Sequence, residues 1–406
     1  MWNGNKRFLD FKKKSRKVLG ILAFDFSAAF DTVDPGTLLS KLSDAGVNGQ
    51  ELEWFDSYLT GGQQCVDWGG TRSDYIPVKF GVRQGSILGP LLFISLMASL
   101  PHHLGLKDNE NCGYADDVCL WATGKTVSEV KTRLNQLAQS FVEFAAGNAL
   151  SLNESKTQLL LAGPITKPDR ENFTIKVGQE EISPSTELEL LGVKFDKKLS
   201  LTPYMESLSK TVRQRTAMIA RLSYHLPRGH YLRLLAQGLV YGKISYAAAA
   251  TITPRLPGDT SAPSGICKDI QTALNDVART LTGHRRSEHV SVSTLLHSAN
   301  LPSLNGVAVQ ALALETWKAF HSQDGPNTTR NPLGKAIFGD LHNPAPAQRS
   351  TRASTQGQVN LPLLMAAPTM AYSAVKIWNQ NEALRSARTI SAAKSIARKL
   401  AKAAPL

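Results

Sequence analysis

Apolar residues recur through residues 126–147 at steps of three and four: Val127, Val130, Leu134, Leu137, Phe141 and Phe144. That spacing collects them on one face of a helix, so the segment is expected to pack in a core. Thr126 or Ser128 is placed to cap its start and Gly147 to end it. The run VLGILAF at Val18–Phe24 is different: it carries no polar side chain, shows no helical period and is short, which predicts a buried strand. PGTLLSKLSDAG opens with Pro35 and stops at Gly46, the marks of a short helix, and ELEWFDSYLTGG reads as a second one closed by glycines. The Gly-Gly of QQCVDWGGTRSDYIPVKF, lying between two β-like runs, predicts a hairpin.

Further on, TQLLLAG, FTIKVG and LELLGVKFD are short and β-like, and from Leu201 the pattern turns helical and basic. The Pro, Gly and Ser content of residues 253–265 predicts a loop. LNGVAVQALALETWKAF reads as another helix, the polar, turn-rich stretch that follows as loosely ordered chain, and the tail from Met370 as helix-forming and basic. No internal repeat is visible.

The chain has 406 residues, 42% of them apolar, which is enough for a real core and suits two or three domains. A formal net charge of +13 favours a polyanionic partner, nucleic acid ahead of an anionic membrane surface. Residues 1–17 carry seven of the basic residues against one acid, Asp10. The four cysteines form no Cys-x-x-Cys pair, and no His cluster completes a zinc site; a reduced, intracellular protein is expected, with Cys112 and Cys119 facing each other as thiols across a hairpin. The apolar run after the N-terminal lysines is too short for a signal peptide and is ended by Asp25. Residues 87–100 fall short of the ~18 apolar residues a membrane span needs.

One feature of the pattern is costly. In CGYADDVCLW, Asp116 and Asp117 stand side by side between apolar runs. The flanks predict a hairpin with both carboxylates at its tip. Asp25, at the carboxyl end of the VLGILAF strand, is the candidate third acid. Clustered carboxylates tolerate one another when a divalent cation lies between them. Mg²⁺ suits such a site, with Mn²⁺ as a substitute, because it takes few carboxylates and leaves positions for water and phosphate oxygens.

AFDFSAAFDTVD, GVRQGSILGPLLF, GYADDVCLW, LSLNESKTQLLL and LELLGVKFDKKLSL, in this order, resemble the successive palm motifs of reverse transcriptases, in particular those of non-long-terminal-repeat retrotransposons of the jockey type. The resemblance implies an α+β polymerase palm, an antiparallel sheet packed on helices, at residues 18–200 with incomplete fingers. It implies a thumb-like helical region at 201–252 and a C-terminal helical, partly disordered region at 266–406. It implies RNA-directed DNA synthesis with an RNA template, a DNA primer, deoxynucleoside triphosphates and no membrane, in the nucleus. Asp25, Asp116, Asp117 and the carbonyl of Phe26 match metal ligands. Phe30 matches a gate that excludes the ribose 2′-hydroxyl, Gln84 and Gly85 match a nucleotide-binding loop, and Lys156 matches a lysine that approaches the triphosphate and protonates the leaving pyrophosphate. LLGVKFD corresponds to a primer-grip hairpin, and Asp31 and Asp34 are expected to cap the turn and helix after them. Arg83 stands where the pattern usually has Pro, and Pro35 where it has His. Only 24 residues precede Asp25, so the family's upstream fingers and endonuclease motifs are missing and an N-terminally truncated piece is implied. The alternative reading is a catalytically inactive retroelement remnant that binds nucleic acid.

Overall fold

The computed structural model describes residues 17–106, 111–259, 263–321 and 370–406. The basic N-terminal segment up to residue 16 and the polar stretch 322–369 lie outside the described residues. The described residues divide into two compact units, one up to Ser200 and the other from Leu201.

The first unit is built on β1 (Val18–Phe24). Two short helices follow, α1 (Pro35–Asp44) and α2 (Gln50–Leu59). Pro35 occupies the first turn of α1, where it lacks only an N–H that no helical carbonyl would accept, and the Asp34 carboxylate caps the helix through the Thr37 N–H at 2.7 Å. The expected hairpin forms as two nested ladders. β2 (Gln63–Gln64) pairs with β5 (Ile76–Pro77), and β3 (Asp67–Trp68) pairs with β4 (Thr71–Arg72). Gly69 and Gly70, both at positive φ, make its turn. Next come α3 (Leu88–Met97), α4 (Leu100–His103), β6 (Asn111–Tyr114), β7 (Asp117–Gly124) and α5 (Val127–Gly147). Then come β8 (Gln158–Ala162), α6 (Lys167–Glu171), and two hairpins: β9 (Ile175–Val177) with β10 (Glu180–Ile182), and β11 (Glu187–Leu190) with β12 (Val193–Asp196).

The central sheet is antiparallel in the order β6-β7-β1-β8. One face, with Val18, Leu22 and Phe24 of β1, packs on Val130, Leu134, Leu137 and Phe141 of α5. The other face, with Leu19 and Ile21, packs against Leu188 and Leu199. Burial on both faces explains why β1 reads as an unbroken apolar run instead of an alternating one. Gly20 sits under α5: a Cβ there would meet Leu134 Cδ1 at 2.5 Å and Val130 Cγ1 at 2.9 Å. The α5 stripe is core, as its spacing predicts, and Thr126 caps it by accepting the Glu129 N–H at 3.2 Å. It ends at Gly147 as expected, with Asn148 as the C-cap and the left-handed step on Ala149.

The second unit is helical, with α7 (Thr202–Leu222), α8 (His230–Ala236), a π-turn at Gln237–Tyr241, α9 (Gly242–Ser245) and α10 (Ala248–Thr251). After the expected loop come α11 (Gly265–Thr282), α12 (Val292–Ala299), α13 (Leu304–Phe320), α14 (Met370–Gln380), α15 (Glu382–Ser386) and α16 (Ile390–Ala403). α7 packs on α11 and α13 packs on α16. A Cβ on Gly306 would lie 2.5 Å from the Ala401 carbonyl, so the α13–α16 contact is a backbone-close one that needs small residues. Trp378 is fully buried, and Trp317 donates its indole N–H to the Ala387 carbonyl at 2.9 Å. No helix among the described residues is long and apolar enough to cross a membrane.

Candidate active site

β6 and β7 are joined by the two-residue turn Ala115-Asp116, so the hairpin predicted around the paired acids forms with both at its tip. Tyr114 pairs with Asp117 and Cys112 with Cys119, and both cysteines are free thiols. The β1–β7 register sets Phe24 opposite Val118. Extended by one residue, it sets Asp25 opposite Asp117. Two ladders therefore bring together acids about ninety residues apart in sequence, at one end of a sheet whose faces are sealed.

The electrostatics report the convergence. The Asp117 carboxyl is held above the usual carboxylate range, first because it is partly desolvated, although the residue as a whole is exposed, then by the charges of Asp116 and Asp25. Asp25 has a counter-ion: Lys156 Nζ lies 3.4 Å from its Oδ2. Lys156 sits in the 3₁₀ turn Glu154–Lys156, which is tied to the same strand end. Asn153 N–H donates to the Asp25 carbonyl at 2.8 Å and Ser27 N–H to the Ser151 carbonyl at 2.8 Å. These two bonds flank the Phe26–Leu152 bridge and leave the Phe26 carbonyl out of it. The turn is anchored from its other side by Glu154, whose carboxylate accepts the Gln179 N–H at 3.0 Å across Gly178, where any side chain would collide with it.

Phe30 is half-buried and stacks on Phe93 with ring centroids 4.7 Å apart. Gln84 and Gly85 lie on the loop before α3, and Gly85 has φ 79° with open space where a side chain would be. That loop docks on the segment after Phe30: Val82 N–H donates to the Phe30 carbonyl at 2.8 Å and Gly81 N–H to the Val33 carbonyl at 2.7 Å. The Gln84 carboxamide donates to Asp31 Oδ1 at 2.7 Å. Asp31 thus bonds a residue 53 positions away, while Asp34 alone caps the helix as expected. Arg83 lies over the Tyr58 ring at 5.2 Å, so the residue that departs from the family pattern has its own packing partner.

Three features of the site had no readable signal in the sequence. The Asp31–Gln84 bond is long-range, the Glu154 anchor depends on a hairpin 25 residues on, and Ala28 and Ala115 adopt the left-handed conformation at φ 49° and 53° beside the acids. For a residue with a Cβ that conformation costs about 1 kcal/mol, and such strain concentrates at functional sites.

As they stand, no three His, Cys, Asp or Glu side chains among the described residues are arranged to grip a metal ion. The donor chemistry nonetheless fits a hard divalent cation: all candidates are oxygens, one carbonyl is free of the bridge beside it, and such a cation would relieve the repulsion that adds to desolvation in raising the Asp117 carboxyl.

Residues 4–195 match the profile "Reverse transcriptase (RNA-dependent DNA polymerase)". The chain is 26% identical over 252 residues to the RNA-directed DNA polymerase from mobile element jockey of Drosophila funebris, an alignment covering 58% of this chain and 27% of that protein. It is 26% identical over 230 residues to the probable RNA-directed DNA polymerase from transposon BS of Drosophila melanogaster, covering 53% and 24%. The chain thus spans about a quarter of the length of these relatives. Among solved structures it is similar to apo telomerase from Candida tropicalis, with a TM-score of 0.41 and 13% identity over 80% of this chain and 55% of that one. Residues 4–195 are thus similar to reverse transcriptases, and the relatives matched are RNA-directed DNA polymerases of mobile elements.

Proposed function

We propose that the first unit carries out RNA-templated DNA synthesis, in which a primer 3′-hydroxyl attacks the α-phosphate of a deoxynucleoside triphosphate and pyrophosphate leaves. The observation that carries this reading is the convergence of Asp25 and Asp117 on one sheet end, with Asp116 beside them and Lys156 on Asp25. Asp25, Asp116, Asp117 and the Phe26 carbonyl would hold Mg²⁺, or Mn²⁺ in its place. Two such ions, when bound, supply the positive charge that stabilises attacking and leaving oxygens at phosphorus.

The chain's own groups would do the rest. Lys156, 69% exposed at its side chain, reaches Asp25 while remaining open to an incoming triphosphate; it would exchange that carboxylate for phosphate oxygens and protonate the leaving group. Asp31, when ionised, only accepts hydrogen bonds, so it fixes the Gln84 amide with nitrogen inward and its oxygen outward, as an acceptor toward the nucleotide. Phe30, braced by Phe93, would exclude a ribose 2′-hydroxyl by steric collision. Gly85 would let the backbone approach the nascent base pair. The β11–β12 hairpin, held to β8 through Ser185 N–H and the Leu159 carbonyl at 2.7 Å, is the candidate support for the primer end.

Primer extension on poly(rA)/oligo(dT) with Mg²⁺ or Mn²⁺ tests the proposal. The parent chain is expected to extend, and the double variant Asp116→Ala, Asp117→Ala to lose more than about 10³-fold in rate, roughly 4 kcal/mol of barrier. A folded, RNA-binding parent that does not extend would favour the non-catalytic alternative.

A further inference from the structure

Seven cations among the described residues of the second unit are already engaged within it. Arg213 pairs with Asp269 at 2.9 Å, Arg286 and Arg279 with Asp276 at 2.7 and 3.3 Å, Lys318 with Glu315 at 2.7 Å, and Lys376 with Asp259 at 3.2 Å. Arg215 donates to the Leu239 carbonyl at 2.6 Å and Arg385 to those of Trp378 and Asn379. α7, a basic helix, thus spends Arg213 and Arg215 on its own fold.

α16 is built differently. Its sequence, ISAAKSIARKLAKA, contains four cations and no acid. Ala393, Ala397 and Ala401 are buried against the second unit's core, and Ile396 and Leu400 pack partly into it. Lys394, Arg398 and Lys402 recur every four residues on the opposite face with Lys399 beside them, and all four are exposed. None of the four forms an ion pair with an acid among the described residues; Lys402 donates only to the Asn300 carboxamide oxygen at 3.3 Å. The helix is pinned by its alanines, so the row is held on a rigid support about 12 Å long, at ~1.5 Å per residue.

We propose that this face of α16 is a nucleic-acid backbone contact, separate from the acid-lined polymerase site. A row of like charges left unneutralised on a fixed helix fits a regularly charged polyanion. An anionic membrane surface is the less suitable partner, because a surface-lying helix inserts its apolar face into the lipid, and here that face is occupied by the protein's own core.

The test is binding of a fluorescein-labelled oligouridine RNA by the full chain, followed by anisotropy without nucleotide or divalent ion, between about 50 and about 200 mM salt. The fourfold variant Lys394→Gln, Arg398→Gln, Lys399→Gln, Lys402→Gln removes the charge and keeps good helix formers. The slope of log K against log salt is expected to shrink by about 3, from four charges at ~0.7 each. A companion variant with Lys394→Arg, Lys399→Arg and Lys402→Arg is expected to keep the parent slope. The proposal is overturned if the Gln variant, with circular dichroism and thermal unfolding like the parent's, binds with an unchanged slope. Parent binding to phosphatidylserine vesicles but not to the RNA would overturn it equally. Because no catalysis is measured, an inactive polymerase site leaves this result intact.

Discussion

Asp117 in the first unit and Asp259 in the second are carboxylates shifted in opposite directions. Asp117 is raised by partial desolvation and by two other acids. Asp259 is subject to desolvation too, but the Leu256 N–H at 2.8 Å, the Lys376 ammonium at 3.2 Å and the charge of Arg255 together outweigh it and hold its carboxyl below the ordinary range. One carboxylate is surrounded by what the fold needs. The other stands among groups that repel it, an arrangement that lowers stability and makes sense when the partner comes from outside the chain. In the second unit Asp259 is spent on architecture; the sheet end of the first gathers acids that repel one another.

The largest test of that contrast is Lys156→Ala. If Lys156 serves the reaction, primer extension should fall by about 10²-fold, within the span of general acid catalysis, while thermal unfolding barely moves, because an ion pair this exposed contributes little to stability. Asp259→Asn should behave in the opposite way: a loss of about 1–3 kcal/mol in denaturant unfolding with the same turnover per folded molecule, since it leaves a largely buried ammonium without its charge partner. The sign of its pH dependence is fixed. A carboxyl with a lowered folded pKa stabilises above its unfolded value of about 3.9, and the gain disappears as pH falls through the lower folded value. The parent should therefore lose stability in acid over that window, and Asp259→Asn should lose less. Asp117→Asn, without divalent ions at neutral pH, should raise the melting temperature slightly, because it removes a repulsion; a fall there would collapse the comparison.

Asp31→Asn asks whether the Gln84 orientation matters. The amide would be free to turn, and KM for the deoxynucleotide should rise about tenfold with kcat changing less. An equal fall in kcat and kcat/KM would place Asp31 in the chemical step instead. The smallest effect is expected at the hairpin tip. Ala115→Gly removes a left-handed Cβ and should add up to about 1 kcal/mol of stability in chemical unfolding, less the entropy glycine gives back to the unfolded chain.

Much of the fold was legible because short-range patterns were locally consistent. The α5 stripe, the unbroken β1 run, the glycine-closed helices and the hairpins at Gly69-Gly70 and Ala115-Asp116 each depend on residues within a few positions of one another. Gly147 marked the end of α5 correctly, but the left-handed step that a glycine usually takes falls on Ala149. Asp31 misled because capping is a local expectation, and its actual partner, Gln84, arrives through the docking of a separate loop.

The sequence by itself determined which segments are strands and helices, which acids stand at strand ends, and, through motif order, the resemblance to reverse transcriptases. Only the tertiary structure decided what those acids face. The β1–β7 register sets Asp25 opposite Asp117, loop docking gives Gln84 its orientation, and the packing of α16 on α13 turns four scattered cations into one exposed row. The reason is physical: periodicity and caps are set by neighbours in the chain, whereas charge proximity and burial are set by elements that meet only when the core closes.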